Sequence, residues 1–217
     1  MRGGILPIHN VGLSATGAIP SGPAGLHWIA EIGNGRTSHN VDPDQTGPVQ
    51  QAIDENSRKS FNVAVYARPV GIPGLQTGFS MYRDRLYPVN GSGAATAVGE
   101  SIWDGYVTWH PTRFELTAEG LVMRHNVAAT GRTYNIPGFY FLVSRQFGKY
   151  RPYFSWDYVN VSRFEPVWGG VGRRDGPATG LRYDFSDYAA FKLEYYRLMQ
   201  RSQPDVNGVR SQLTFTF

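Results

Sequence analysis

Five histidines, His9, His27, His39, His110 and His125, are the side chains best suited to acid–base or nucleophile-activating chemistry in a chain that has no cysteine. None stands in a recognisable nucleophile motif, so a lipase- or protease-type reaction has no serine–histidine or aspartate–histidine constellation to start from. The run Asn40-Val41-Asp42-Pro43-Asp44-Gln45-Thr46-Gly47 has the Asp-x-Asp-x-Thr spacing of a phosphotransferase nucleophile loop, and acidic loops of this kind also take calcium weakly. That nucleophile needs an apolar strand feeding the first aspartate. Arg36-Thr37-Ser38-His39-Asn40 is polar, so the run reads as a solvated loop. Arg173-Arg174-Asp175 reads as a surface turn whose guanidiniums could meet phosphate groups. No catalytic residue, metal ligand or cofactor motif emerges from these groups.

The chemistry that remains is carried by charges in a repeating pattern, and the pattern belongs to strands. Only 41% of the 217 residues are hydrophobic, while Tyr 13, Phe 12, Trp 5 and Gly 26 favour pleated surfaces and tight turns over helices. The longest strongly apolar run, Phe139-Tyr140-Phe141-Leu142-Val143, is far short of the roughly 18 residues of a membrane-spanning helix. The net charge of +4 comes from basic residues interspersed with acids, which gives no footprint for nucleic acid.

From the end of the chain backwards, Val209, Ser211, Leu213, Phe215 and Phe217 share one face and Arg210, Gln212, Thr214 and Thr216 the other. Phe191, Leu193 and Tyr195 oppose Lys192, Glu194 and Tyr196, and Leu181, Tyr183 and Phe185 oppose Arg182 and Asp184. Pro152, Phe154, Trp156 and Tyr158 oppose Arg151, Tyr153, Ser155 and Asp157. Segments 139–147, 114–119 and 61–68 repeat the alternation with lower contrast, and 11–19, 26–33, 75–82 and 102–109 are further candidates. The sum is about eleven strands of about 9–11 residues, the length that crosses a bilayer when tilted. A soluble sandwich or lipocalin-like barrel also alternates, but its dry interior would not take Arg, Asp, Lys and Glu on successive strands. The expected fold is therefore all-β, a transmembrane antiparallel up-and-down β-barrel, with residues 1–217 as the C-terminal portion of a single barrel domain.

In such a barrel the inward side chains set the field met by a solute. The inward cations are Arg68, Arg151, Arg182, Lys192 and Arg210, and the inward acids Glu31, Glu115, Glu119, Asp157, Asp184 and Glu194. Neither sign prevails. Many of these charges would pair along the wall, Arg182 with Glu194 for instance. Tyr66, Tyr140, Tyr153 and Tyr196 also face inward, where they could stack on sugars or pack the wall.

Connection lengths add an orientation. Short links at 20–25, 69–74, 110–113, 148–149 and 186–187 alternate with longer ones at 35–60, 84–99, 125–137, 160–177 and 201–208, the asymmetry of tight periplasmic turns and extended outer loops. With short turns periplasmic, the first strand begins outside. An even-stranded barrel then requires at least one strand upstream of Met1, and no signal peptide is present at the N-terminus. The chain is expected to be a fragment or a late-start product.

The terminal Leu213-Thr214-Phe215-Thr216-Phe217 resembles the C-terminal signal that outer-membrane proteins present to the barrel assembly machinery. Val11-Gly12-Leu13, Gly25-Leu26-His27-Trp28 and Ile32-Gly33-Asn34-Gly35-Arg36 resemble the middle of phosphate-selective-type porins, and Phe114-Glu115-Leu116 with Glu119 is similar to a later strand there. The resemblance implies a bacterial outer-membrane porin of about sixteen strands, roughly five of them upstream of Met1. It further implies a water-filled channel for small hydrophilic solutes or ions, anions such as phosphate among them, with no cofactor. The implied partners are outer-membrane lipid and lipopolysaccharide, and the assembly machinery through Phe217. A homotrimer is among the assemblies open to it. The rival readings are a barrel enzyme of lipase or protease type and a plugged structural or adhesin barrel.

Overall fold

A computed structural model of the chain describes residues 11–36, 58–88, 96–201 and 203–216 and gathers them into one antiparallel sheet. Eleven strands follow one another: β1 (Gly12–Ile19), β2 (Leu26–Gly33), β3 (Ser60–Ala67), β4 (Leu75–Leu86), β5 (Val98–Trp109), β6 (Phe114–Val127), β7 (Thr133–Arg145), β8 (Tyr150–Asn160), β9 (Arg173–Ser186), β10 (Ala189–Gln200) and β11 (Val206–Phe215). Each pairs only with its neighbours in sequence, which makes the sheet up-and-down with β1 and β11 at its edges. The sole helical turn among the described residues is the 3-10 turn Gly22–Ala24 between β1 and β2. Phe217, His9, His39 and the Asp42–Asp44 loop lie outside the described residues.

The period of two becomes two chemically distinct faces because the registers keep like with like. Glu194 lies opposite Arg210 and Lys192 opposite Gln212, while Phe191 lies opposite Leu213 on the other side. The sheet curls so that residues of β5 and of β11 line one cavity, which makes the charged face concave. The convex face carries its large apolar side chains exposed, Leu193 at 48% and Phe215 at 62%.

Two of the short turns use glycine where the backbone demands it. Gly25 and Gly74 sit at φ 57 and φ 77, in the left-handed region that a side chain rarely tolerates. Their carbonyls accept hydrogen bonds from the backbone N–H groups of Arg68 and His110, both at 2.9 Å, so each turn is tied to the next one.

Several strands are longer than expected, β4, β5, β6, β7, β9 and β10 running 12–14 residues. Asp84 and His125, expected in loops, are therefore strand residues, and Arg173-Arg174-Asp175 opens β9 instead of forming a surface turn. Only connections 34–59, 87–97 and 161–172 are long, while 128–132 and 201–205 are as short as the turns at the other end. The extra length was hidden by a change of phase. At the long-connection end Tyr82, Ile102, Met123 and Ile136 are buried on the concave side, while Arg83, Arg124 and Asn135 are exposed on the convex side. The apolar residues change sides, so an alternation followed from the short-turn end runs out there.

Candidate functional site

The concave face holds two unlike environments. At the long-connection end, segment 161–172 folds back onto the sheet and closes a dry cluster. Val161 and Val171 are buried against Tyr82, Ile102, Met123, Ile136 and Val159, with Trp168 packed alongside. Val167 packs against a second group, Leu86, Val98 and Val127.

Inside this cluster four charges neutralise one another. The Arg36 guanidinium, supplied by the connection after β2, donates to Glu100. Glu100 accepts from His125 Nε2 at 2.7 Å, and His125 Nδ1 meets Glu165 at 2.6 Å. All four side chains have no exposure. A carboxylate only accepts, so two carboxylates on the two ring nitrogens require a proton on each, and the imidazole is held as a cation. Two positive and two negative groups then balance, the condition under which buried charge is tolerable. Burial alone would lower the Arg36 pKa, but Glu100 beside it holds the guanidinium above its ordinary value. Asp84 extends the network, accepting from the backbone N–H of Arg36 at 2.7 Å and from the Tyr82 hydroxyl at 2.8 Å. Glu165 also accepts from the backbone N–H groups of Val167, at 3.1 Å, and Trp168. One carboxylate thus shapes the folded-back segment and fastens it to β6. With both nitrogens engaged, His125 has no lone pair to offer as a general base.

Below this cluster the face opens into a cavity of about 550 Å³ lined by Asp104, Glu119, Tyr140, Asp157, Tyr196 and Arg210, among others. Beyond it a ladder of charges, partly exposed around a buried Glu194, runs toward the short turns. Glu194 is its hub, accepting from Arg210 at 2.7 Å and from the Tyr153 hydroxyl at 2.7 Å, with Lys192 at 3.4 Å. Arg151 stands 3.7 Å from Glu115, which also accepts from Ser144 at 3.0 Å. Arg182 pairs with Asp184 on its own strand at 2.7 Å. The cross-strand pair expected between Arg182 and Glu194 does not form, because three closer donors already occupy Glu194. Gly180 makes room for this arrangement: a Cβ there would strike the Tyr153 ring and hydroxyl.

The residues picked from the sequence fall on this one face, in two groups. Arg151, Arg182, Lys192, Arg210, Glu115, Asp184, Glu194 and Tyr153 form the ladder, with Glu119, Asp157, Tyr140 and Tyr196 at the cavity. Glu31, Tyr66 and Arg68 lie apart on β2, β3 and the turn after it. Asn62 donates to Glu31 at 2.8 Å, Arg68 donates to Gln76 at 2.7 Å, and Tyr66 stacks on His27 with ring centres 5.0 Å apart. Cations cover the rings of Tyr66, Tyr153 and Tyr196, from Arg68, Lys192 and Arg210. One face of each ring is thus taken by a wall cation. Arg173 pairs with Asp175 at 3.1 Å, so its charge is already answered.

The buried set, Arg36, Asp84, Glu100, His125 and Glu165, was not found from sequence. Glu100 shares strand parity with Asp104, and His125 with Glu119. Extending the two alternations, by one repeat of the pleat before Ile102 and by three beyond Glu119, would have placed both inward.

No protein-family model matches the sequence, and no curated protein matches it.

Proposed function

We propose that this chain forms wall of a bacterial outer-membrane β-barrel of the porin type, which passes small hydrophilic solutes or ions by passive diffusion. One observation carries the reading: a half-buried to exposed band of apolar side chains on the convex face lies back to back with the polar and charged side chains of the concave face. On β6 the outward residues Phe114, Leu116, Ala118, Gly120 and Val122 form the band, and Glu115, Thr117 and Glu119 face the other way. Such a band spans about 27 Å along the strand, the scale of a tilted crossing of the hydrocarbon. Two edge strands with unpaired backbone groups are untenable in lipid, so the reading requires further strands or further copies, a homotrimer among the assemblies, to complete the wall. Cations and acids alternate in the ladder, which supports hydrated ions of either sign and leaves phosphate as a solute suggested by resemblance alone. Outer-membrane lipid and lipopolysaccharide would cover the convex band, and Phe217 would engage the assembly machinery.

Segment 161–172 favours a second reading, a barrel whose lumen is occluded, since it fills the concave face at one end. Planar-bilayer recording on the folded protein separates the two. Steady ohmic single-channel current is the porin outcome; a membrane-inserted protein that carries no steady current is the occluded one.

A further inference from the structure

Where the apolar band of the convex face stops, a polar row begins, and the registers set both rows across the same four strands. Arg83 of β4 pairs with Ser101 of β5, Ser101 with Arg124 of β6, and Arg124 with Asn135 of β7. One step closer to the short turns, Met81 pairs with Trp103, Trp103 with Val122, and Val122 with Pro137. Trp103 and Val122 are exposed at 46% and 42%, and Arg83, Arg124 and Asn135 are exposed above them. Two arginines therefore sit two strands apart, about 10 Å between backbones, beside an apolar row. Among the described residues no carboxylate pairs with either. Arg124 contacts a neutral group, its Nε donating to Asn135 at 2.9 Å. Beside the row a cleft of about 450 Å³ is lined by Lys59, Phe61, Arg83, Asp84, Arg85 and Asn126, cations outnumbering the one acid beside an aromatic ring.

We propose that this row is a headgroup site for a phosphorylated lipid of the surrounding leaflet. Arg83 and Arg124 take phosphate oxygens, Ser101 and Asn135 add neutral donors, and the acyl chains lie along Met81, Trp103 and Val122. Charge complementarity selects the phosphate, and the apolar row beneath it selects a lipid over a free anion. The inference rests on the convex face being the lipid-facing one. It also moves the expected phosphate contact away from Arg173-Arg174-Asp175, where an ion pair and a cation–aromatic contact with Tyr158 already hold Arg173.

The test titrates the folded full chain, in zwitterionic detergent micelles, with diphosphorylated lipid A and follows tryptophan fluorescence, since Trp103 lies in the row beneath. The expected result is saturable binding that Arg83→Gln and Arg124→Gln each weaken about tenfold, the scale of one charge-assisted hydrogen bond. It should be absent for the dephosphorylated lipid and for inorganic phosphate, and unmoved by Lys192→Gln on the opposite face. Equal binding by native and doubly substituted chains, or by lipid with and without phosphate, overturns the proposal. Both arginines are exposed, and matching far-UV circular dichroism confirms that the variants compared are folded. Binding needs no conductance, so a chain that binds lipid A in this way yet carries no current keeps the site and loses the porin reading. A conducting chain indifferent to both substitutions does the reverse.

Discussion

The two ends of the sheet are built to opposite rules. Toward the short turns the convex face is apolar and the concave face charged, as in Phe191, Leu193 and Phe215 against Lys192, Glu194 and Arg210. Toward the long connections Arg83, Arg124 and Asn135 lie outside, while Ile102, Met123 and Ile136 are buried inside. A single fold surrounded by a single solvent has no reason to reverse its polarity part-way along its strands. On the proposed reading, hydrocarbon around the first region and the headgroups and water beyond it around the second supply one. The comparison also explains the contrast in how charge is handled. Ladder charges range from buried Glu194 to exposed Arg210, whereas Arg36, Glu100, His125 and Glu165 beneath segment 161–172 have no exposure and neutralise one another.

The largest expected effect lies in the dry end. Glu165→Ala leaves the His125 cation with one carboxylate and releases the segment, and should lower stability by about 3–5 kcal/mol in urea unfolding of the folded protein. Next comes a charge placed in the apolar band. Leu116→Arg should cost about 2–4 kcal/mol in lipid vesicles, whereas a charge at Ser101, one level into the polar row, should cost close to nothing. Equal costs at the two positions would erase the difference between the ends. Gly180→Val forces Tyr153 away from Glu194 and should cost about 1–3 kcal/mol by overpacking, read from the same unfolding curves. Lys192→Ala, in the open ladder, should change stability by less than about 1 kcal/mol. The smallest effect is a pH dependence. Arg197 donates to Asp205 at 2.8 Å and holds this exposed carboxyl below its ordinary value. The contact contributes above the unfolded carboxyl's pKa and is lost as pH falls through the depressed folded value. Asp205→Asn should therefore flatten the acid limb of the stability profile slightly, in a pH titration of the unfolding midpoint.

Strand number, order and face were legible because β8 to β11 interleave residues of extreme character. Arg210 and Gln212 between Val209, Ser211 and Leu213 admit only one pleat. The strand ends were not legible, since Glu100, Ile102, Met123 and His125 mix polar and apolar side chains on one face. Which of them is buried depends on segment 161–172, about forty to seventy residues away in sequence. Glu165 illustrates the limit most clearly. Between Phe164 and Pro166 it looks like a surface acid, and only the return of the chain onto β6 gives it His125 as a partner.

The central claim is that the convex band meets hydrocarbon while the concave face meets water. The absence of native cysteine makes a clean measurement available: single cysteines along β6, spin-labelled in lipid vesicles and exposed in turn to oxygen and to a water-soluble nickel chelate. Labels at Leu116, Ala118 and Val122 should favour oxygen, those at Thr117, Glu119 and Arg124 the chelate, with the switch falling between Val122 and Arg124. Chelate access throughout, or an oxygen preference at Thr117 and Glu119, would contradict the account.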